Sequence, residues 1–248
     1  MLGNQLAGQR PGAQARFSAP ERRAQIERAA SELLHKKGYR ALTMRELARH
    51  VGDQSASLYH HYPSKQELLR TLLRDTLSDL ARAVRTAAQS AGPTPLRQLP
   101  AALRAHVLYH GDHRLEAAIS DTELRDLSPR NRREIVALRD DYESIFRNIL
   151  RRGNRLGCWY IDEKMAGWII LGMCTGVNGW YRPDGPLALE RIADFYSRFV
   201  LRALSVHDGS HREEKMAKHR NQSDTTAELQ QRGNGRPKSG HRRGALPQ

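Results

Sequence analysis

The stretch LTMRELARHVGDQSASLYHHYPSKQELL, Leu42 to Leu69, places a helix start, a glycine stop, a second start, a proline and a third start in quick succession. Thr43 followed three residues later by Glu46 has the form of a capping box, in which the hydroxyl accepts from the Glu46 amide and the carboxylate reaches back to the amide of Thr43. A helix therefore begins at Thr43. Met44, Leu47, Ala48 and Val51 recur at three- and four-residue spacing on one buried stripe, leaving Arg45, Arg49 and His50 toward water. Gly52 stops this helix, because glycine takes the left-handed backbone conformation cheaply. Asp53 or Ser55 can cap a second helix about two turns long, with Ser55, Ser57, Tyr59 and His60 on it and Leu58 and Tyr62 as inward anchors. So short a helix is not stable alone. Pro63 ends it, and Ser64 with Glu67 repeats the capping-box spacing and launches the next helix.

This geometry is a helix-turn-helix, whose second helix offers small polar side chains to base edges and phosphates while flanking elements grip the backbone. From Gly38 onward, GYRALTMRELARHVGDQSASLYHHYPSKQELL resembles the DNA-binding domain of TetR-type transcriptional repressors. Gly38 and Tyr39 precede the capping Thr43, Leu58, Tyr59 and His60 form the family's Leu-Tyr-His element, and Pro63, Ser64 and Lys65 open the fourth helix. Asp53 and Gln54 depart from the pattern, standing where the family usually has an aliphatic residue and a serine or threonine cap. The resemblance implies a double-stranded DNA operator as partner, with Thr43, Arg45, Gln54, Ser55, Ser57, Tyr59, His60 and Lys65 directed to it. A lysine at a helix start opposes the dipole, and a phosphate partner for Lys65 would explain it. Asp53 is expected to cap the recognition helix rather than touch DNA.

The 248 residues carry a net charge of +14 and are 39% hydrophobic, enough for a sizeable core. By region the net charge is +7 over residues 1–86, +3 over 87–205 and +4 over 206–248, so the basic excess is densest around the motif and in the tail. That suits counterion release on a polyanion. The two cysteines, Cys158 and Cys174, form no metal-like or disulfide framework, which points to a reduced cytoplasm, and no window is apolar enough for a membrane span. Residues 1–17 have no apolar core of the signal-peptide kind and read as a disordered basic arm; 206–248 read as a disordered basic tail.

Between these flanks the pattern predicts an all-α chain of about nine helices, with the helix-turn-helix unit over 18–64 and a ligand-binding and dimerisation unit over 65–205. Ser18, Pro20 and Glu21 start the first helix, with Ile26, Ala29 or Ala30, Leu33 and Leu34 inward and Gly38 at its end. The fourth helix, from Lys65 to about 86, faces Leu68, Leu72, Leu73, Leu77 and Leu80 inward and acts as a lever between the units. A break at Gly92 to Pro95 precedes five more helices. One runs over about 96–109, a short one over 115–124, and one starts at Ser128 and Pro129 and ends at Gly153 and Gly157. The eighth, over 162–180, is apolar nearly all round and must be buried on every side; with a ninth over 187–204 it is expected to form a four-helix dimer interface.

The C-terminal half, through SPRNRREIVALRDDYESIFRNIL and GMCTGVNGWYRPDGPL, resembles the TetR regulators of sterol and fatty-acid catabolism that answer to acyl-CoA thioesters. The resemblance implies a small hydrophobic effector. His106, Tyr109, Tyr142, Phe146, Trp168 and Met173 are its expected lining, on helices that also carry His110 and Asn178. Core packing accounts for each of those aromatic residues taken singly. His50, His60 and His61 diverge around their helix without a completing ligand, so neither metal nor cofactor is expected, and no catalytic motif points to an enzyme. The expected activity is that of a cytoplasmic, nucleoid-associated homodimeric repressor; the alternative is a constitutive or architectural DNA-binder.

Overall fold

The computed structural model describes residues 18–205; the expected arm and tail, 1–17 and 206–248, lie outside the described residues. The described chain runs α1 (Ala19–Ala41), α2 (Met44–His50), α3 (Ser55–His61), α4 (Lys65–Ser90), α5 (Pro95–Asp112), α6 (Arg114–Thr122), a 3-10 turn (Glu123–Asp126), α7 (Pro129–Arg155), α8 (Glu163–Thr175), the single turn α9 (Val177–Trp180) and α10 (Leu189–Ser205). Helices are its only regular elements, as the sequence predicts, and none of them is long and apolar enough to cross a membrane.

Local sequence sets the helix starts. Ser18 forms a complete capping box, its hydroxyl accepting from the Glu21 amide and the Glu21 carboxylate accepting from the Ser18 amide. Thr43 and Ser64 form half-boxes. Each hydroxyl accepts from the amide three residues on, at 3.2 and 3.1 Å, but the carboxylates of Glu46 and Glu67 turn away to ion-pair with Lys37 and Arg70. A charge-assisted bond to a cation is roughly twice as strong as one to a neutral amide, which is why the returning half is lost. Gly38 and Gly52 take φ of 77° and 68°, the left-handed turns that let α1 kink before its last residues and the chain reverse between α2 and α3.

Two cores form along α4. Leu33, Leu34, Leu47, Val51, Leu58 and Tyr62 pack with Leu68, Leu69, Leu72, Leu73 and Leu77, and Ile119, Leu127 and Ile135 from farther along the chain join them. From Leu80 and Val84 onward, α4 packs instead against α5 and α7, through residues such as Leu103 and Phe146, in a core that α8 and α10 complete from the far side of those helices. Each fully buried leucine contributes about 1.5–3 kcal/mol, so the seven-residue α3 is held by Leu58 and Tyr62 rather than by its own hydrogen bonds.

Two expectations need correction. Gly153 lies inside α7, not at its end: a Cβ there would sit 2.0 Å from the fully buried indole of Trp159, whose Nε1 donates to the Leu150 carbonyl at 2.8 Å. The turn comes later, at Gly157. The eighth helix is not continuous, and within a single chain one of its faces stays open. It breaks at Gly176 into α8 and α9, as four glycines costing up to about 1 kcal/mol each relative to alanine would favour. Met165, Trp168, Ile169 and Trp180 are exposed on it, as are Phe195 and Phe199 of α10.

Candidate nucleic-acid interface and internal cavity

Thr43, Arg45, Gln54, Tyr59 and His60 are exposed and Ser55 and Ser57 half-buried, so α3 and the start of α2 offer a polar surface. Asp53 does not cap α3. Gln54 holds the N-cap position and its side chain makes no capping bond, while the Asp53 carboxylate meets the guanidinium of Arg22 at 2.6 Å and accepts from the Gln54 amide at 2.7 Å. The Arg22 bond holds its carboxyl below the usual range, with the Gln54 amide and Ser57 adding to the effect. The acid is thereby occupied by α1, and the Gln54 amide group is left free at the tip of α3.

Lys65 also has an internal explanation. Its Nζ donates to the carbonyls of Tyr39 and Leu42 at 3.0 and 2.9 Å and lies 4.2 Å from the centre of the Tyr39 ring. A cation at the start of α4 is therefore stabilised by the carbonyl-rich end of α1, and no phosphate is needed to account for it. One ammonium proton remains.

Around Tyr39 the helix-turn-helix meets the C-terminal unit through a polar junction that no local pattern announced. The Tyr39 amide donates to the buried carboxylate of Glu123 at 3.1 Å, beside the Gly38 kink. Gln66 donates to the Tyr39 hydroxyl at 2.7 Å and the Asp126 carbonyl at 2.8 Å, and accepts from the Ser128 amide at 2.9 Å. Arg40 with Asp126 and Arg70 with Glu134 close the junction, at 3.0 and 2.8 Å.

Beyond the junction, a cavity of about 130 Å³ lies among α4, α5, α6 and α7, lined by residues including Thr76, Leu80, Tyr109, His110, Ser120 and Tyr142. Behind it, the rings of His106 and His110 stand 4.3 Å apart. His106 Nδ1 meets the Tyr142 hydroxyl, its Nε2 lies 3.4 Å from Thr175 Oγ1, and Phe146 packs edge-on against the ring. The Asn178 amide donates to His110 Nδ1 at 2.9 Å. Burial drives His106 well below the ordinary imidazole value, with His110 adding to it. Burial likewise pushes His110 down to about 4, against a small opposing contribution from Asn178. Both rings are neutral at pH 7.

Tyr109 and Tyr142 thus line the cavity, and His106 and Phe146 back it. The other two expected lining residues are elsewhere. Trp168 is 52% exposed, with Lys164 over its ring at 4.9 Å, and Met173 faces a separate apolar hollow with Trp180, Phe195 and Tyr196. The inward stripe of α8 belongs to Gly167, Ile170 and Cys174, which leaves both residues on other faces of the helix.

Residues 26–72 match the family model of bacterial regulatory proteins, tetR family, and residues 92–204 that of the tetracyclin repressor-like C-terminal domain. The HTH-type transcriptional repressor KstR2 of Mycobacterium tuberculosis is 27% identical over 187 residues, spanning 74% of this chain and 93% of that protein. The crystal structure of the TetR family transcriptional regulator PfmR from Thermus thermophilus is similar at 34% identity and a TM-score of 0.66, over 71% of this chain and 97% of that one. AibR, solved in complex with isovaleryl coenzyme A and operator DNA, is similar at 26% identity and a TM-score of 0.66, over 72% and 97%. With both of its units matched in the order the fold presents them, the chain belongs to the TetR family of DNA-binding transcriptional regulators.

Proposed function

We propose that this regulator is a homodimeric repressor that sets two α3 helices into successive major grooves of an imperfect palindrome and leaves it when a small hydrophobic effector, a short acyl-CoA thioester by first choice, fills the cavity. The helix-turn-helix unit, 18–64, reads the operator through Thr43, Arg45, Gln54, Ser55, Ser57, Tyr59 and His60, with Lys65 positioning the motif and supplying its remaining proton to a phosphate. The unit over 65–205 takes the effector and dimerises through the apolar faces of α8, α9 and α10, whose exposed Trp168, Ile169, Phe195 and Phe199 are costly to leave in water. It acts on the chromosome in the cytoplasm.

One observation carries this reading. α4 runs unbroken from Lys65, bonded to the end of α1, to Thr76 and Leu80 on the cavity wall, so cavity and recognition helix share a rigid element. An effector that prefers the shape with misplaced recognition helices weakens operator binding by its differential affinity for the two shapes. Repression agrees with the similarity to KstR2, and a thioester with the similarity to AibR, which was solved with isovaleryl coenzyme A. Two neutral imidazoles and a small apolar space favour an uncharged acyl group over a free carboxylate.

The test is footprinting on the DNA flanking the protein's own gene, followed by titration with short acyl-CoA thioesters. A rise in melting temperature with a fall in operator affinity is expected; operator binding indifferent to every thioester would favour the constitutive binder.

A further inference from the structure

Three hollows lie in a row along α6, the 3-10 turn and α7, and they share walls. Asp121 lines the internal cavity and also a depression bounded by Thr122, Leu124, Arg125 and Arg132. Arg125 and Arg132 then line a groove of about 630 Å³, floored by Leu127, Pro129 and Val136 and rimmed by Arg133. Cavity and groove are thus neighbours through shared lining residues, and the groove is of ordinary ligand-pocket size.

Charge along this path is uneven: the cavity carries Asp121 and Glu143 beside Arg139, and the groove is the more basic end. Asp121, the acid at the mouth, is taken by Arg139 at 3.3 Å. Asp126 is bonded to Arg40 at 3.0 Å and lies 3.9 Å from Arg125, whose side chain is 78% exposed. Arg132 and Arg133 are exposed and form no ion pair among the described residues. Asp140 is the one acid lining the groove. Like charges gathered over an apolar floor repel one another until a polyanion arrives. Guanidinium groups bind phosphate bidentately and stack on aromatic planes, and Pro129 and Val136 offer an apolar surface for a base. The cavity, at about 130 Å³, has room for a short acyl group and little more, so the rest of a larger ligand must lie outside it.

We propose that the groove of Arg125, Arg132 and Arg133 is the seat of a phosphorylated adenine nucleotide, the polar end of a ligand whose acyl end enters the cavity past Asp121 and Arg139. This rests on the thioester reading above, and the probes separate the two. Adenosine 3′,5′-bisphosphate carries the nucleotide alone, isovaleryl N-acetylcysteamine the acyl thioester alone, and isovaleryl coenzyme A both. Calorimetric titration of the full chain should show arginine-dependent nucleotide binding. The double variant Arg132→Ala, Arg133→Ala should bind the bisphosphate and the coenzyme A thioester about tenfold or more weakly, with the N-acetylcysteamine thioester and operator affinity unchanged. The conservative double variant Arg132→Lys, Arg133→Lys should recover part of the loss.

If the wild type does not bind the bisphosphate, or if the double variant binds it as the wild type does, the groove assignment fails. A double variant whose operator affinity falls while nucleotide affinity holds would make these arginines DNA contacts, overturning it as well. Arginine-dependent bisphosphate binding, with neither thioester shifting operator affinity, would uphold the groove and defeat the thioester reading alone.

Discussion

Mild acid should destabilise this protein through its buried histidine pair, and His110 gives the magnitude. The residue is 6% exposed, its ring centre lies 4.3 Å from that of His106, and burial pushes it down to about 4 from the ordinary 6.5. Well above pH 6.5 neither state holds the proton and His110 contributes no pH dependence. As pH falls through 6.5 the unfolded chain takes up a proton that the folded chain refuses, so stability is lost until pH reaches about 4, where the folded state takes it too. The complete loss is about 3 kcal/mol, of which about 2 kcal/mol has gone by pH 5. His106, depressed more strongly, acts in the same direction. Denaturant unfolding of the wild type and His110→Gln at pH 7.5 and pH 5, at one fixed protein concentration, measures the effect together with the part of the His106 depression that His110 causes, which adds in the same direction. The wild type should lose about 2 kcal/mol more than the variant over that interval. Equal losses would refute the claim that this ring is held neutral by burial.

Gln54→Ala should cost about 1–3 kcal/mol in operator affinity and relax base preference at one operator position, as measured by gel shift on a set of single-base operator variants. An unchanged preference would remove Gln54 from base reading. Gly153→Ala forces the Trp159 indole to move and should destabilise the fold by about 1–3 kcal/mol, visible as a lower melting temperature; an unaltered melting curve would mean the indole has slack. Glu123→Ala leaves the Tyr39 amide without its partner and should cost about 1–3 kcal/mol of stability while reducing the effector's influence on operator affinity more than its binding. Undiminished coupling would exclude the junction from the signal path. Phe195→Glu with Phe199→Glu should yield monomers by sedimentation, and a persistent dimer would place the interface elsewhere.

What could be read from sequence was what short-range chemistry decides. Ser18, Thr43 and Ser64 start helices because their hydroxyls take an amide three residues away, and Gly52 turns the chain whatever surrounds it. The leucine stripe of α4 likewise marks its own buried face. Features that depend on distant partners were hidden. Nothing near Asp53 announces Arg22, nothing near Lys65 announces the end of α1, and Glu123 looks like a surface acid until the fold delivers Tyr39 to it. Trp168 and Met173 show the same limit in the cavity. An all-apolar helix has no readable inward face, and the stripe that turns inward, Gly167, Ile170 and Cys174, is chosen by the packing of α8 on α7, where Gly167 faces Arg147 and Leu150. Tyr109, Tyr142, His106 and Phe146 were legible because α5 and α7 are amphipathic and their inward faces unambiguous.

The break at Gly176 gives the α8–α9 segment two jobs. On one side Thr175 and Asn178 reach the histidine pair, and on the other Met173 and Trp180 belong to the apolar face. In a dimer closed over that face, a molecule that shifts Asn178 in one protomer presses on the neighbour's copy of the same segment. On the proposed reading of an effector in each cavity, the two sites would then be coupled, and derepression would depart from a single-site isotherm.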